Sequence, residues 1–90
     1  MSIEVKLNPI LQKHAGGQEV VEVTGHTIGE CLENLESRFP DIKQGTRNKQ
    51  GRLVPYSLFF VNSKCIIVNT LTTPVNDGDE IEIKFIAGGG

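Results

Sequence analysis

Thr27 to Pro40 reads TIGECLENLESRFP, and here the hydrophobic period of the chain changes from two to about 3.6 residues. Thr27 followed by Glu30 has the spacing of a capping box, in which the Thr27 hydroxyl accepts the Glu30 amide hydrogen and the Glu30 carboxylate reaches back. Ile28, Cys31, Leu32, Leu35 and Phe39 then recur at helical spacing. That predicts a helix of about three turns with one apolar face, Glu33, Glu36 and Arg38 turned to water, and Pro40 as its stop.

On either side of this helix the period is two. Ile3, Val5 and Leu7 alternate with Glu4 and Lys6, and Glu19 to Thr24 is rich in β-branched residues. These two runs predict an antiparallel pair of strands. Asp41 to Pro55 is polar, with Lys43, Arg47, Lys49 and Arg52, and reads as a solvated loop. Strand chemistry resumes at Tyr56 to Asn62 and again at Cys65 to Val68, a hairpin broken near Asn62 and Ser63. Asn76-Asp77-Gly78-Asp79 is a turn signal, and Glu80 to Ile86 is a last strand with Ile81, Ile83 and Phe85 on one face. The first and last strands each carry three apolar residues on one face. They are therefore expected side by side and parallel at the sheet centre, beneath a single helix. The pattern is α+β.

Ninety residues make one domain, residues 1–90, which should bury roughly 60 to 68% of the surface its unfolded chain exposes. A net charge of -2 without long blocks of like charge offers nucleic acid and acidic lipid no electrostatic handle. The longest apolar run, Leu58 to Val61, is far short of a membrane span. With no basic or apolar leader in MSIEVKLN, the expected location is cytoplasmic. Cys31 and Cys65 fit neither a metal-site spacing nor a disulfide framework, and read as packing residues. His14 and His26 sit in loop-like sequence, expected to be exposed, without a nucleophile or carboxylate at a telling spacing. No catalytic residue and no metal site is assigned.

The chain closes on Ala87-Gly88-Gly89-Gly90. Glycines at a terminus add nothing to a core and lose the most backbone freedom on ordering, so residues 87–90 are expected to form a flexible tail. Phe60-Val61-Asn62, Leu71, the turn Asp77-Gly78-Asp79-Glu80 and this small-residue terminus together resemble the ubiquitin-like sulfur carriers of the MoaD/ThiS family. The family includes the small subunit of molybdopterin synthase, the thiamine-pathway carrier and a carrier for cysteine synthesis. The resemblance covers nearly the whole chain in element order and is most specific in the last third. Counted from Asp79, the diglycine falls at Gly89 and Gly90, with Gly88 in the place of a small residue. The proline often found before the tail is missing; Phe85 and Ile86 stand there. The length of the 41–55 loop is closer to the cysteine-type and archaeal molybdopterin-type members.

The resemblance implies a ubiquitin-like β-grasp, a mixed sheet of four to five strands with one main helix across one face. It implies a carrier and not an enzyme: an activating enzyme of E1 type, using ATP and Mg²⁺, adenylates the Gly90 carboxylate, and a thiocarboxylate then forms and gives its sulfur to a synthase. The carrier itself binds no cofactor and is a monomer when alone. Gly88 and Gly89 are the recognised tail. Glycine, lacking a Cβ, can thread a narrow channel. Because alternate strand residues face opposite ways, Ile86 and one of Phe59 and Phe60, taken as Phe60, are expected to form the partner-binding surface. The rival readings are a protein modifier conjugated through its terminal glycine and a non-covalent interaction domain.

Overall fold

The computed structural model describes residues 2–86. Five strands form one sheet: β1 (Ser2–Lys6), β2 (Val20–Thr24), β3 (Ser57–Val61), β4 (Lys64–Ile66) and β5 (Glu80–Phe85), in the order β2-β1-β5-β3-β4. β1 pairs antiparallel with β2 and parallel with β5, and β3 pairs antiparallel with both β5 and β4. The two strands at the chain's ends are thus parallel neighbours at the centre, as their apolar alternation predicts. Ile3, Val5, Val21, Val23, Phe59, Ile81 and Ile83 turn to the same side and are buried there.

The main helix α2 (Ile28–Arg38) covers that side with Ile28, Cys31, Leu32 and Leu35. Its Thr27 cap forms as read, the hydroxyl accepting from the Glu30 N–H at 3.1 Å. The Glu30 carboxylate reaches back to the His26 N–H at 2.8 Å, while the Ile28 N–H donates to Thr73 O at 3.0 Å. The result is a β-grasp of the ubiquitin-like type. Among the described residues no helix is long and apolar enough to cross a membrane.

Five expectations need correction. The helix is not single: α1 (Pro9–Lys13) follows β1, with the Asn8 side chain accepting from the Leu11 N–H at 2.9 Å, Pro9 at the first position and Leu11 buried. His14 closes α1 and is half-buried rather than exposed. The 41–55 loop is not plain: a 3₁₀ turn (Pro40–Ile42) and α3 (Lys43–Thr46) bury Ile42 and Thr46. Glu36, expected in water, is buried. Strand β4 stops at Ile66, because the Thr70 hydroxyl takes the Ile66 carbonyl and Asn69, at φ 52°, turns the chain. Ile67 and Val68 are left exposed.

Side chains also close the long edge. Asn34 Nδ2 donates to Thr24 O and Arg38 Nη1 to Glu22 O, so α2 occupies two alternate carbonyls on the free side of β2. At the opposite end, Asn62 and Ser63 both have positive φ, 49° and 73°, the conformation of a tight I′ hairpin. The Asn62 side chain spans to the next turn, donating to Asp79 Oδ1 and accepting from the Glu80 N–H, both at 2.9 Å.

Two predictions follow from these contacts. A Cβ at Gly29 would lie 2.7 Å from Leu71 O, a backbone atom of a second 3₁₀ turn (Thr70–Thr72) packed on α2. Helix propensity favours Gly29→Ala by about 1 kcal/mol, but overpacking typically costs about 1–3 kcal/mol. We expect the clash to win and Tm to fall by about 4–8 °C per kcal/mol lost; a higher Tm would show that the turn yields. Asp79 is held below the ordinary carboxylate range, first by the Asn76 N–H and then by the Asn62 amide. Its contribution is present above the unfolded value of about 4 and is lost as pH falls through the lower folded value. Asp79→Asn should therefore flatten the acid limb of stability below about pH 4, measured by urea midpoints across pH.

Candidate functional site

The apolar alternation that buries Ile81 and Ile83 brings β5 to the end of the sheet at Phe85 and Ile86. The last bond of its ladder runs from the Ile86 N–H to Tyr56 O at 2.8 Å. Phe85 is half-buried against the core, and the Tyr56 ring meets it edge-on, centroids 5.2 Å apart at 80°. α1 is held alongside by Asn8, whose Nδ2 donates to Ile83 O at 3.4 Å while its Oδ1 caps the helix. Asn8, Pro9, Ile10, Tyr56, Phe85 and Ile86 enclose a groove of about 390 Å³ beside the point where the described chain ends.

Of the residues singled out in the sequence, Ile86 is exposed and lines this groove. Phe60 lies opposite Glu82 on the open face of the sheet, half-buried, with the Lys84 ammonium 5.2 Å from its ring centroid. Phe59 is the buried one of that pair. Ile86 and Phe60 are therefore both outside the core but do not share one pocket. Gly88, Gly89 and Gly90, and the expectation of a flexible tail 87–90, lie outside the described residues.

Tyr56 is placed by a clamp that the sequence did not reveal. Glu36 accepts two bonds from the Arg47 guanidinium, at 2.8 and 3.1 Å, and one from the Thr46 hydroxyl at 3.1 Å. Arg47 also donates to Gly51 O at 3.2 Å, and the Val54 N–H donates to Thr46 O at 2.9 Å. The carboxylate hydrogen bond pushes the Arg47 guanidinium up, against the opposing effect of burial. Lys43, Lys49 and Arg52 are exposed, as read, but Arg47 is not a solvated loop residue. Cys31 is fully buried, which pushes its thiol up, with the Glu30 charge adding to the effect. It packs in the core. Cys65 is half-buried and His26 exposed. Among the described residues no three His, Cys, Asp or Glu side chains are grouped to hold a metal ion.

A family model described as the ThiS family matches residues 5–90. The chain belongs to the ThiS family. It is 29% identical over 93 residues to the sulfur carrier protein CysO of Mycobacterium tuberculosis, with all of both chains covered. A chain in the crystal structure of the Amycolatopsis orientalis BexX/CysO complex is 31% identical, with a TM-score of 0.84 over 98% of this chain and 99% of that one. SAMP1 from Haloferax volcanii is 25% identical, with a TM-score of 0.86 over 100% of both. These ThiS-family and structural likenesses agree with the ubiquitin-like resemblance carried by the turn and the closing glycines.

Two features of the site were missed in the sequence: Ile10 on α1, and Tyr56 as a groove wall. Asn8 followed by Pro9 is a helix start signal that could have found the first. The clamp has a direct test. Replacing Arg47 by Met leaves Glu36 buried without its partner, which should cost about 3–5 kcal/mol. Glu36→Leu combined with Arg47→Met should recover most of that loss in urea unfolding. Equal losses in the single and double variants would show that the charge pair is not what the segment depends on.

Proposed function

We propose that this ThiS-family protein is a sulfur carrier whose Gly90 carboxylate is adenylated by an activating enzyme and then converted to a thiocarboxylate. The observation that carries this reading is the family match, which runs through β5 to Gly90 and so includes the glycines. The likeness over full length to sulfur carrier proteins supports it. In the first step the carboxylate attacks the α-phosphate of ATP, with Mg²⁺ supplied in the partner's site, and pyrophosphate leaves. A sulfur nucleophile at the level of sulfide then displaces AMP from the acyl carbon. The carrier contributes the reacting carboxylate and a docking surface that includes Ile86 and Phe60; the activating enzyme contributes the catalytic groups. The thiocarboxylate would give its sulfur to a synthase of the cysteine or molybdopterin type.

A second reading has its own support. SAMP1, a small archaeal modifier protein, is similar along its whole length. Modification would use the same acyl-adenylate and end in an isopeptide bond to a lysine. Covalent conjugates in cell extract, against a thiocarboxylate on the isolated chain, separate the two.

Deleting Gly90 should leave the melting temperature unchanged, because a terminal glycine buries almost nothing. It should abolish sulfur loading, since the carboxylate is drawn back by about 3.3–3.6 Å and misplacement by about 1 Å can cost about a hundredfold. Adding an alanine after Gly90 should block loading as well, and Gly88→Ala should be tolerated. The readout is the mass gained when sulfur replaces oxygen, after incubation with ATP, activating enzyme and a sulfur donor. Normal loading of the deletion variant would overturn the carrier reading.

A further inference from the structure

Six large apolar side chains are exposed among the described residues, and three of them gather in one place. Ile10, Tyr56 and Ile86, at 52, 47 and 50% exposure, all line the groove at the end of β5. Apart from the Tyr56 hydroxyl, its side-chain polar groups are already committed. Asn8 caps α1 with its oxygen and holds Ile83 O with its nitrogen, and the Ile86 N–H is bonded to Tyr56 O. The walls therefore offer a polar small molecule few hydrogen bonds, while Pro9, Ile10, Phe85 and Ile86 offer apolar contact. That chemistry fits inserted apolar side chains of a protein.

The sequence beyond the described residues says which protein. Four residues, Ala87 to Gly90, follow Ile86, and four extended residues reach at most about 14 Å. An enzyme that holds the last carboxylate in its active site must therefore come within that distance of the groove rim. We propose that the groove between α1 and the β3–β5 end of the sheet is the docking pocket for the activating enzyme, with Tyr56 and Ile10 as its anchors. This rests on the carrier reading and deepens it, moving the weight of recognition from the open sheet face around Phe60 to the α1 side. Tyr56 suits the role because its ring is braced edge-on against Phe85 before any partner arrives, so little side-chain freedom is lost on binding.

The experiment is ATP–pyrophosphate exchange by the purified activating enzyme at varied concentrations of full-length carrier. Ile10→Ser and Tyr56→Ala should each raise KM for the carrier by roughly tenfold or more, the scale of a single hot-spot side chain, and leave kcat unchanged. Ile67→Ser and Val68→Ser, exposed after β4 and outside the groove's lining, should change neither. Circular dichroism melts check folding. Because Tyr56 packs on Phe85, Ile10→Ser keeps the test valid should Tyr56→Ala unfold. Wild-type KM in a folded Ile10→Ser variant, or an equal rise in the Ile67 and Val68 variants, would overturn the groove assignment while leaving the carrier reading intact. Absence of any exchange with the wild-type chain would instead overturn both.

Discussion

The rest of the structure depends on the parallel pairing of β1 with β5. It joins the two ends of the chain, Val5 opposite Ile81 and Glu4 opposite Glu80, and a parallel pair cannot be closed by a tight turn. Everything between must act as the connection. The β1–β2 hairpin leads into α2, which crosses the buried face, and the remaining chain returns through β3 and β4. The junction is tied again at its start, where Asp77 Oδ1 accepts from the Ser2 N–H at 2.6 Å and the Gly78 N–H donates to Ser2 O at 2.9 Å. Closing so long a loop costs entropy before any contact offsets it. The compensation is the apolar layer of Ile3, Val5, Ile81 and Ile83, which exists only when the two strands meet.

That central pairing also fixes the site. A strand at the middle of a sheet has neighbours on both sides, so β5 emerges at the sheet end with its direction set by β1 and β3 together. Phe85 is held from below by the core and from the side by Tyr56, and α1 is tethered to β5 by the Asn8 amide. The reactive end proposed for this chain is thus attached to the middle strand of the sheet. The Glu36–Arg47 clamp serves the same end from farther away, by fixing the segment that delivers Tyr56.

What was legible in the sequence is what local pattern can carry. The alternation of Ile3, Val5 and Leu7 and of Ile81, Ile83 and Phe85 gave both central strands and their parallel neighbourhood, and Thr27 with Glu30 gave the start of α2. The turn and closing glycines carried the family. The failures share a cause. Glu36 sits on a helix face that reads as polar, and it is buried only because Arg47, eleven residues on, folds over it. α1 is five residues long, too short for a period to show, and depends on Asn8 and on the burial of Leu11. Ile67 and Val68 have strand chemistry, but the Thr70 hydroxyl and the left-handed Asn69 end the strand before them. In each case a contact that periodicity does not register overrode the local pattern.

The closed sheet edges have a consequence for how such a molecule travels. An unpaired edge of β-branched residues such as Val20, Val21 and Val23 is a template for joining another chain. Asn34 and Arg38 already satisfy its carbonyls at Glu22 and Thr24, and at the far edge the Thr70 hydroxyl satisfies Ile66. A protein proposed to shuttle between two enzymes has to diffuse as a single particle, and every self-associated copy would be withdrawn from that traffic. Two side chains of α2 and one threonine thus hold carbonyls at which another copy would otherwise pair.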